Sequence, residues 1–314
     1  MTALIADIGG TNARFALVGP NDREGRRPLT LPCRDFAGPA EAARAYLDRV
    51  APDVQPSTAA FAVACPVRGD HVALTNSPWN FSTAAVRQEL GLQQLEVVND
   101  FIAVALCVPL LTDADQVRIG PVGCADPTAP VAVIGPGTGL GVSAMVPVGD
   151  GWRALPCEGG HVTMAAATDR EEQVLRWLRH RDGHVSAEHV LAGPGLVNLY
   201  QALCGLDGQS PRSVTPADIV PLADADDPQA QETLEMYFAM LGTVAGNLVL
   251  SIGGLGGVVI AGGVIPRMLE RFQASRFCER MQDKGRFRDY LQDVPVHVIT
   301  HPYPAFLGLA GLAG

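Results

Sequence analysis

Two glycine-rich turns and a few carboxylates are the places where this sequence could do chemistry. Gly9-Gly10-Thr11-Asn12 and Gly137-Thr138-Gly139 each lie between short apolar runs, and each sets a threonine among its glycines. Glycine lets successive backbone N–H groups face one concavity, which binds phosphate oxygens, and a threonine hydroxyl can donate to the same oxygens. An ordinary hairpin turn uses such residues too; the repetition favours a pair of anion nests. Neither turn is a G-x-x-x-x-G-K-[ST] loop. Gly139 to Ala144 spells G-x-G-x-x-A, but VSAMVPV continues as a strand where a dinucleotide fingerprint opens a helix, so hydride transfer lacks its context. Asp7 ends the run before the first turn. A carboxylate facing bound anions needs a cation between them, which makes Asp7 an anchor for Mg2+, through water, with an Asx turn as the plainer reading.

Three further stretches carry polar groups. LEVVNDFIAVAL sets Asn99 and Asp100 between two apolar segments, where each must find partners. A helix cap would use one of them. Asn99 can donate and accept, whereas ionised Asp100 only accepts and so suits removal of a hydroxyl proton. Glu158-Gly159-Gly160-His161 reads as a tight loop offering a carboxylate and an imidazole to a small polar ligand. Cys157 with His161 gives a rival, a thiol nucleophile with its base, but no third group to orient them. Glu188 stands in the first turn of a helix with Ser186 as N-cap, where the helix dipole alone explains a carboxylate. His180, His184 and His189 lack the partners and spacing of a metal site and are expected to be solvated.

The elements that position these groups alternate. Hydrophobic patterning predicts strands over 3–7 and 13–18, a helix over 39–51, a buried strand over 59–67 stopped by Pro66, a short strand over 72–77, a helix over 82–90 capped by Ser82, a strand over 94–98 and a helix after it. A turn-rich stretch covers 112–130, and 131–148 reads as a second glycine hairpin. DIGGTNARFAL and GPGTGLGVSAM echo each other weakly, as a duplicated clamp would. From about 170 the chain turns helical, with a long buried helix over roughly 231–251, strands over 258–261 and 294–300, and a small apolar tail. Such alternation implies an α/β layer architecture.

Composition narrows the classes. The chain of 314 residues has 47% hydrophobic and 18% charged residues, ample for two domains. A formal charge of −10 argues against nucleic-acid binding. The seven cysteines are odd in number and scattered, with no C-x-x-C pair, so reduced cytoplasmic thiols are expected rather than disulfides or a zinc site. Met236 to Pro266 contains no charge, yet Asn247 and three glycine pairs break it, which favours a buried helix, turn and strand over a membrane span. No signal-peptide pattern is expected at the start.

Taken together these segments resemble the bacterial ATP-dependent glucokinase family, within the actin, sugar-kinase and heat-shock ATPase superfamily. ADIGGTNARFAL and GPGTGLGVS resemble its two phosphate hairpins, VVNDFIAVA its catalytic strand end, AVACPVRGDHVALTNSPWNFS the segment leading to the sugar site, and PCEGGHV, GHVSAEHVLAGPGLVNLY and GGVVIAGGVIPR its sugar- and adenosine-binding loops. The resemblance implies a two-domain actin-like (ribonuclease H-like) α/β fold with a cleft between the domains. The small domain would span 1–110, completed by 298–314, and the large domain 111–297. Asn99, Asp100, Glu158, His161 and Glu188 would hold D-glucose, with Asp100 as base. Gly9, Gly10, Thr11, Asn12, Gly137, Thr138 and Gly139 would hold ATP phosphates, and Asp7 would work with Mg2+. Nothing like the C-x-C-G-x-x-G-C zinc segment of the related repressor and kinase family follows His161, which favours the zinc-free branch, a cytoplasmic homodimer of glycolysis. Phosphoryl transfer by this route is positioning and charge neutralisation, with closing domains excluding water. A non-catalytic sugar sensor of the same fold is the alternative, disfavoured by the intact base, metal anchor and turns and by the expectation that no DNA-binding extension precedes Met1-Thr2-Ala3.

Overall fold

The computed structural model describes residues 2–20, 22–74 and 77–313. The chain divides into two compact units, one formed by Met1–Thr112, Trp152–Pro156 and His301–Gly314, the other by Asp113–Gly151 and Cys157–Thr300.

The first unit is built on strands β1 (Ala3–Ile8), β2 (Asn12–Val18), β3 (Arg26–Pro32) and β4 (Thr58–Val63), the small hairpin β5 (His71–Ala73) and β6 (Asn80–Ser82), and β7 (Gln94–Asn99). Its main sheet runs β3-β2-β1-β4-β7. β1 and β2 form the expected antiparallel hairpin, while β1, β4 and β7 are parallel. Runs such as ALIADI and TAAFAV are apolar but for Asp7 and Thr58 because both faces are covered. β4 stops at Val63, short of Pro66, since the chain must turn at the sheet's end, where the Ala64 N–H donates to Ile8 O at 3.1 Å. Of the strand expected over 72–77, only Val72 and Ala73 are strand, in β5, and Thr75 and Asn76 lie outside the described residues.

Three helices flank this sheet: α1 (Pro39–Val50), with proline at its first turn, α2 (Thr83–Glu89) and α3 (Asp100–Cys107). Ser82 caps α2 as expected, accepting the Ala85 N–H at 3.1 Å. The apolar tail is a helix at Pro304–Ala313, which packs on α3, β1 and β4. Thr58 Oγ1 ties its end by donating to Ala313 O at 2.7 Å.

The second unit contributes β8 (Gln116–Ile119), β9 (Val131–Pro136), β10 (Leu140–Val148), β12 (Gly257–Ile260) and β13 (Val296–Ile299), and the sheet runs β10-β9-β12-β13-β8. β11 (Gly151–Pro156) follows β10 and is mostly exposed. β9 and β10 are the second glycine hairpin, and β9, β12 and β13 are parallel. Helices α4 (Asp169–Asp182), α5 (Ala187–Leu191), α6 (Gly193–Leu206), α7 (Ile219–Asp224), α8 (Pro228–Ile252), α9 (Leu269–Gln273), α10 (Phe277–Gln282) and α11 (Arg288–Leu291) complete it; α12 is the terminal helix of the first unit, Pro304–Ala313.

α8 is the long apolar helix, capped by Asp227 and ended by Gly253 in the left-handed region at φ 67°. It is long and apolar enough to cross a membrane, yet 67% of its most apolar window is buried inside the protein. Gly242 and Gly246 admit α10 at close quarters, since added methyls would meet Phe277 O and Met281 O. Beside them Arg280 and Glu171 form an ion pair, with side chains 7% and 3% exposed. Glu171 also accepts the Ala167 N–H, and Thr243 accepts from Arg280, so each buried charge has further partners.

In the first unit Gly308 of α12 lies against α3, where an added Cβ would meet the Ala103 carbonyl and, at 3.1 Å, the Cys107 nitrogen. Alanine would gain about 1 kcal/mol of helix propensity, but backbone atoms cannot rotate away, and overpacking costs about 1–3 kcal/mol. Gly308→Ala is therefore expected to lower the urea midpoint of unfolding. An unchanged midpoint would show that α12 can lift off α3 at no cost.

Candidate active site

The first unit gathers Asp7, the turn 9–12, Asn99 and Asp100 at the carboxyl ends of parallel strands. Ile8 pairs with Val63 and Val63 with Asn99, so β1 and β7 end level. The first turn is closed by the Gly9 N–H donating to Asn12 O at 2.9 Å, and the Cys33 N–H donates to Thr11 O at 2.8 Å. Thr11 and Asn12 are exposed.

Asp7 is half-buried, and burial raises its carboxyl above the ordinary range, partly countered by the Arg14 guanidinium. Arg14 Nη1 stands 3.4 Å from Asp7 Oδ2, its Nε donates to Thr30 Oγ1 at 3.3 Å, and its guanidinium lies over the Tyr303 ring at 5.4 Å. Arg14 was not singled out from the sequence. The legible signal was the hairpin itself: Asp7 and Arg14 are directly opposite across it.

Asn99 caps α3. Its Oδ1 accepts the N–H groups of Phe101 at 2.9 Å and Ile102 at 3.4 Å, and its Nδ2 donates to Cys65 O at 3.3 Å. Asp100 shares the Phe101 N–H through Oδ1 at 2.9 Å. The side-chain cap of α3 is thus Asn99, with the Asp100 carboxylate beside it on the same N–H.

In the second unit Gly137-Thr138-Gly139, Glu188 and His161 come together. The Gly137 N–H donates to Gly139 O at 2.8 Å, closing the turn, and Thr138 is exposed. Glu188 Oε2 accepts the Leu140 N–H at 2.8 Å, and His161 Nδ1 lies 3.8 Å from Glu188 Oε1. Glu158 and His161 are exposed on either side of Gly159-Gly160, which pack so tightly on β10 that a Cβ on Gly159 would come 2.7 Å from Val142 Cγ1. None of Gly9, Gly137 and Gly139 has a left-handed φ. Gly139 is needed for space, because a Cβ there would sit 2.5 Å from Glu188 Oε2.

Ser186 caps α5 as expected, accepting from the His189 N–H. His180 and His184 are exposed as expected, with His184 Nε2 3.0 Å from Thr163 Oγ1, whereas His189 is half-buried and its Nε2 lies 2.8 Å from Asp182 Oδ2, tying α5 to the end of α4. The Cys157 thiol donates to Val142 O at 3.3 Å, and burial followed by the Glu158 charge pushes it above the ordinary thiol value. A thiol kept protonated is a poor nucleophile, so the thiol–imidazole reading loses its support. None of the seven cysteines is in a disulfide.

Among the described residues no three His, Cys, Asp or Glu side chains gather as a metal cage. Asp7 offers one hard oxygen donor, which fits an Mg2+ that keeps its waters and takes its remaining ligands from phosphates.

The family model described as Glucokinase matches residues 4–314. A glucokinase from Paramagnetospirillum magneticum is 55% identical over 98% of this chain and 96% of its own length. The chain belongs to the glucokinase family. A solved glucokinase from an Antarctic psychrotroph superposes with a TM-score of 0.90 at 39% identity, covering 99% of this chain and 98% of that one. A ROK family glucokinase from Streptomyces griseus, solved with glucose and AMPPNP, has a TM-score of 0.68 at 18% identity over 100% of this chain and 99% of that one. The fold of this glucokinase-family chain is thus the two-domain actin-like α/β fold of the sugar kinases.

Arg14 generates a pH expectation in this family member. A cation favours the charged carboxylate, so its removal raises the pKa. In Arg14→Met, Asp7 is expected to titrate at higher pH than in the parent, as followed by carbon-13 NMR of the carboxyl. An unmoved titration would show that Arg14 does not hold Asp7 ionised.

Proposed function

We propose that this protein is a glucokinase, transferring the γ-phosphoryl group of ATP to the 6-hydroxyl of D-glucose to give glucose 6-phosphate and ADP. The observation that carries the reading is the polar pair at the end of β7: Asn99 caps α3 and sets the Asp100 carboxylate beside it, level with the end of β1 that carries Asp7. The family match over residues 4–314 supports the same activity. No relative described above is named a regulator, and the sensor alternative gains no support.

Glucose hydroxyls are held by Asn99, Asp100, Glu158, His161 and Glu188. Asp100 accepts the proton of the attacking 6-hydroxyl as the phosphoryl group arrives. Gly9, Gly10, Thr11 and Asn12 on one unit, and Gly137, Thr138 and Gly139 on the other, present backbone N–H groups and hydroxyls to the ATP phosphates. Asp7 would hold Mg2+, through water, and the ion would supply neutralisation of phosphate charge. Arg14 keeps the Asp7 carboxylate aimed and ionised. The proposal extends to a cytoplasmic homodimer serving glycolysis.

Asp100→Asn preserves shape and removes the base. It is expected to keep glucose binding by calorimetry while kcat, read as glucose-dependent ADP release, falls on the order of 10²–10⁴-fold. Turnover within about tenfold of the parent would remove Asp100 from the base role, a cost far below what general-base loss carries.

A further inference from the structure

The carboxylate of Glu188 touches two things that the reaction must bring together. Its Oε2 accepts the Leu140 N–H at 2.8 Å, and Leu140 directly follows the Gly137-Thr138-Gly139 turn. Its Oε1 faces His161 at 3.8 Å, on the side of the sugar-binding residues. We propose that Glu188 couples the two substrates: one oxygen receives a sugar hydroxyl while the other holds the phosphate turn in shape. This rests on the reading of Glu188 as a sugar ligand and of residues 137–139 as a phosphate turn.

The surrounding contacts make the link stiff. The Gly193 N–H donates to Gly137 O at 2.8 Å, so the turn is bonded to the α5–α6 segment at a second point. A Cβ on Gly193 would already stand 3.2 Å from that carbonyl. α5 is fixed in turn by the Ala187 N–H on Val162 O at 2.8 Å, by Asn198 Nδ2 on His189 O at 2.8 Å, and by the His189–Asp182 contact at 2.8 Å. With the helix held on several sides, the freedom left to Glu188 is rotation of its own side chain. A hydroxyl bound at Oε1 removes that rotation and so fixes the acceptor of the Leu140 N–H. The turn then loses less freedom when phosphates bind, and by linkage phosphates favour the sugar to the same degree.

Titration calorimetry tests this by measuring glucose affinity with and without a saturating, hydrolysis-resistant ATP analogue (AMPPNP with Mg2+). In the parent the analogue is expected to tighten glucose about fivefold or more, the lower end of ordinary coupling. Glu158→Gln should weaken glucose and keep that ratio. Glu188→Gln should weaken glucose and bring the ratio within about twofold of unity, because an amide has one acceptor oxygen and cannot serve both partners. Gly139→Ala reaches the link from the other side: its methyl displaces Glu188 Oε2, so glucose should weaken although residue 139 is assigned to phosphate. Should Glu188→Gln fail to fold, Gly139→Ala decides the matter. A parent ratio of unity, or a Glu188→Gln variant with weaker glucose and an intact ratio, overturns the coupling and leaves the glucokinase reading standing. Unchanged glucose affinity in Glu188→Gln would instead remove Glu188 from the sugar site, and the coupling with it.

Discussion

Parallel pairing of β1 with β4 and of β4 with β7 is the constraint on which the first unit depends. Strands that run the same way must all release the chain at the same end, and the register Ile8–Val63–Asn99 makes those exits level. Asp7 and the Asn99–Asp100 pair, more than ninety positions apart in sequence, thereby share one edge of the sheet. A slip of one residue would turn every side chain of a strand to the other face. In the second unit the pairing of Ile134 with Ile260 does the equivalent work. There the chain leaving β12 runs so close to the first hairpin strand that Gly262, at φ 80°, admits no side chain against the Pro136 carbonyl.

What the sequence made legible was local. Both glycine hairpins, the Ser82 and Ser186 caps and the long helix ended by Gly253 rest on residues within a few positions of each other. The terminal helix α12 was hidden because PAFLGLAGLA is apolar on nearly all sides and has no polar face to set a helical period. β3, in RRPLTLP, was hidden by its proline and its exposed arginines. β8 is four residues long inside a stretch dominated by turn formers.

The site was legible in its residue types and less so in their connections. Which of Asn99 and Asp100 caps α3 shows only in the hydrogen bonds, Asn99 taking two N–H groups and Asp100 sharing one of them. The Leu140 N–H is a backbone donor, which no residue type advertises, and it meets Glu188 across 48 positions. Arg14 needed the hairpin register to be seen beside Asp7. Gly139 is fixed by the volume of the Glu188 carboxylate, a contact that its place in a glycine turn does not advertise.

The position of α12 has a consequence for how the chain is made. The first unit joins residues 1–112 and the short piece Trp152–Pro156 to a helix formed by residues 304–313, with most of the second unit encoded in between. On a ribosome the β1–β7 sheet emerges long before the helix that covers α3, β1 and β4. Until then those apolar faces wait unshielded, in search of a partner not yet synthesised, which is the condition under which nascent chains recruit chaperones or aggregate. Closing so long a connection adds little to the free energy of the finished fold, since loop entropy grows only logarithmically. It does slow the step, because distant contacts form late. The second unit, whose helices and sheet are nearly contiguous in sequence, carries no such delay, so it is the first unit that must wait for residues 304–313.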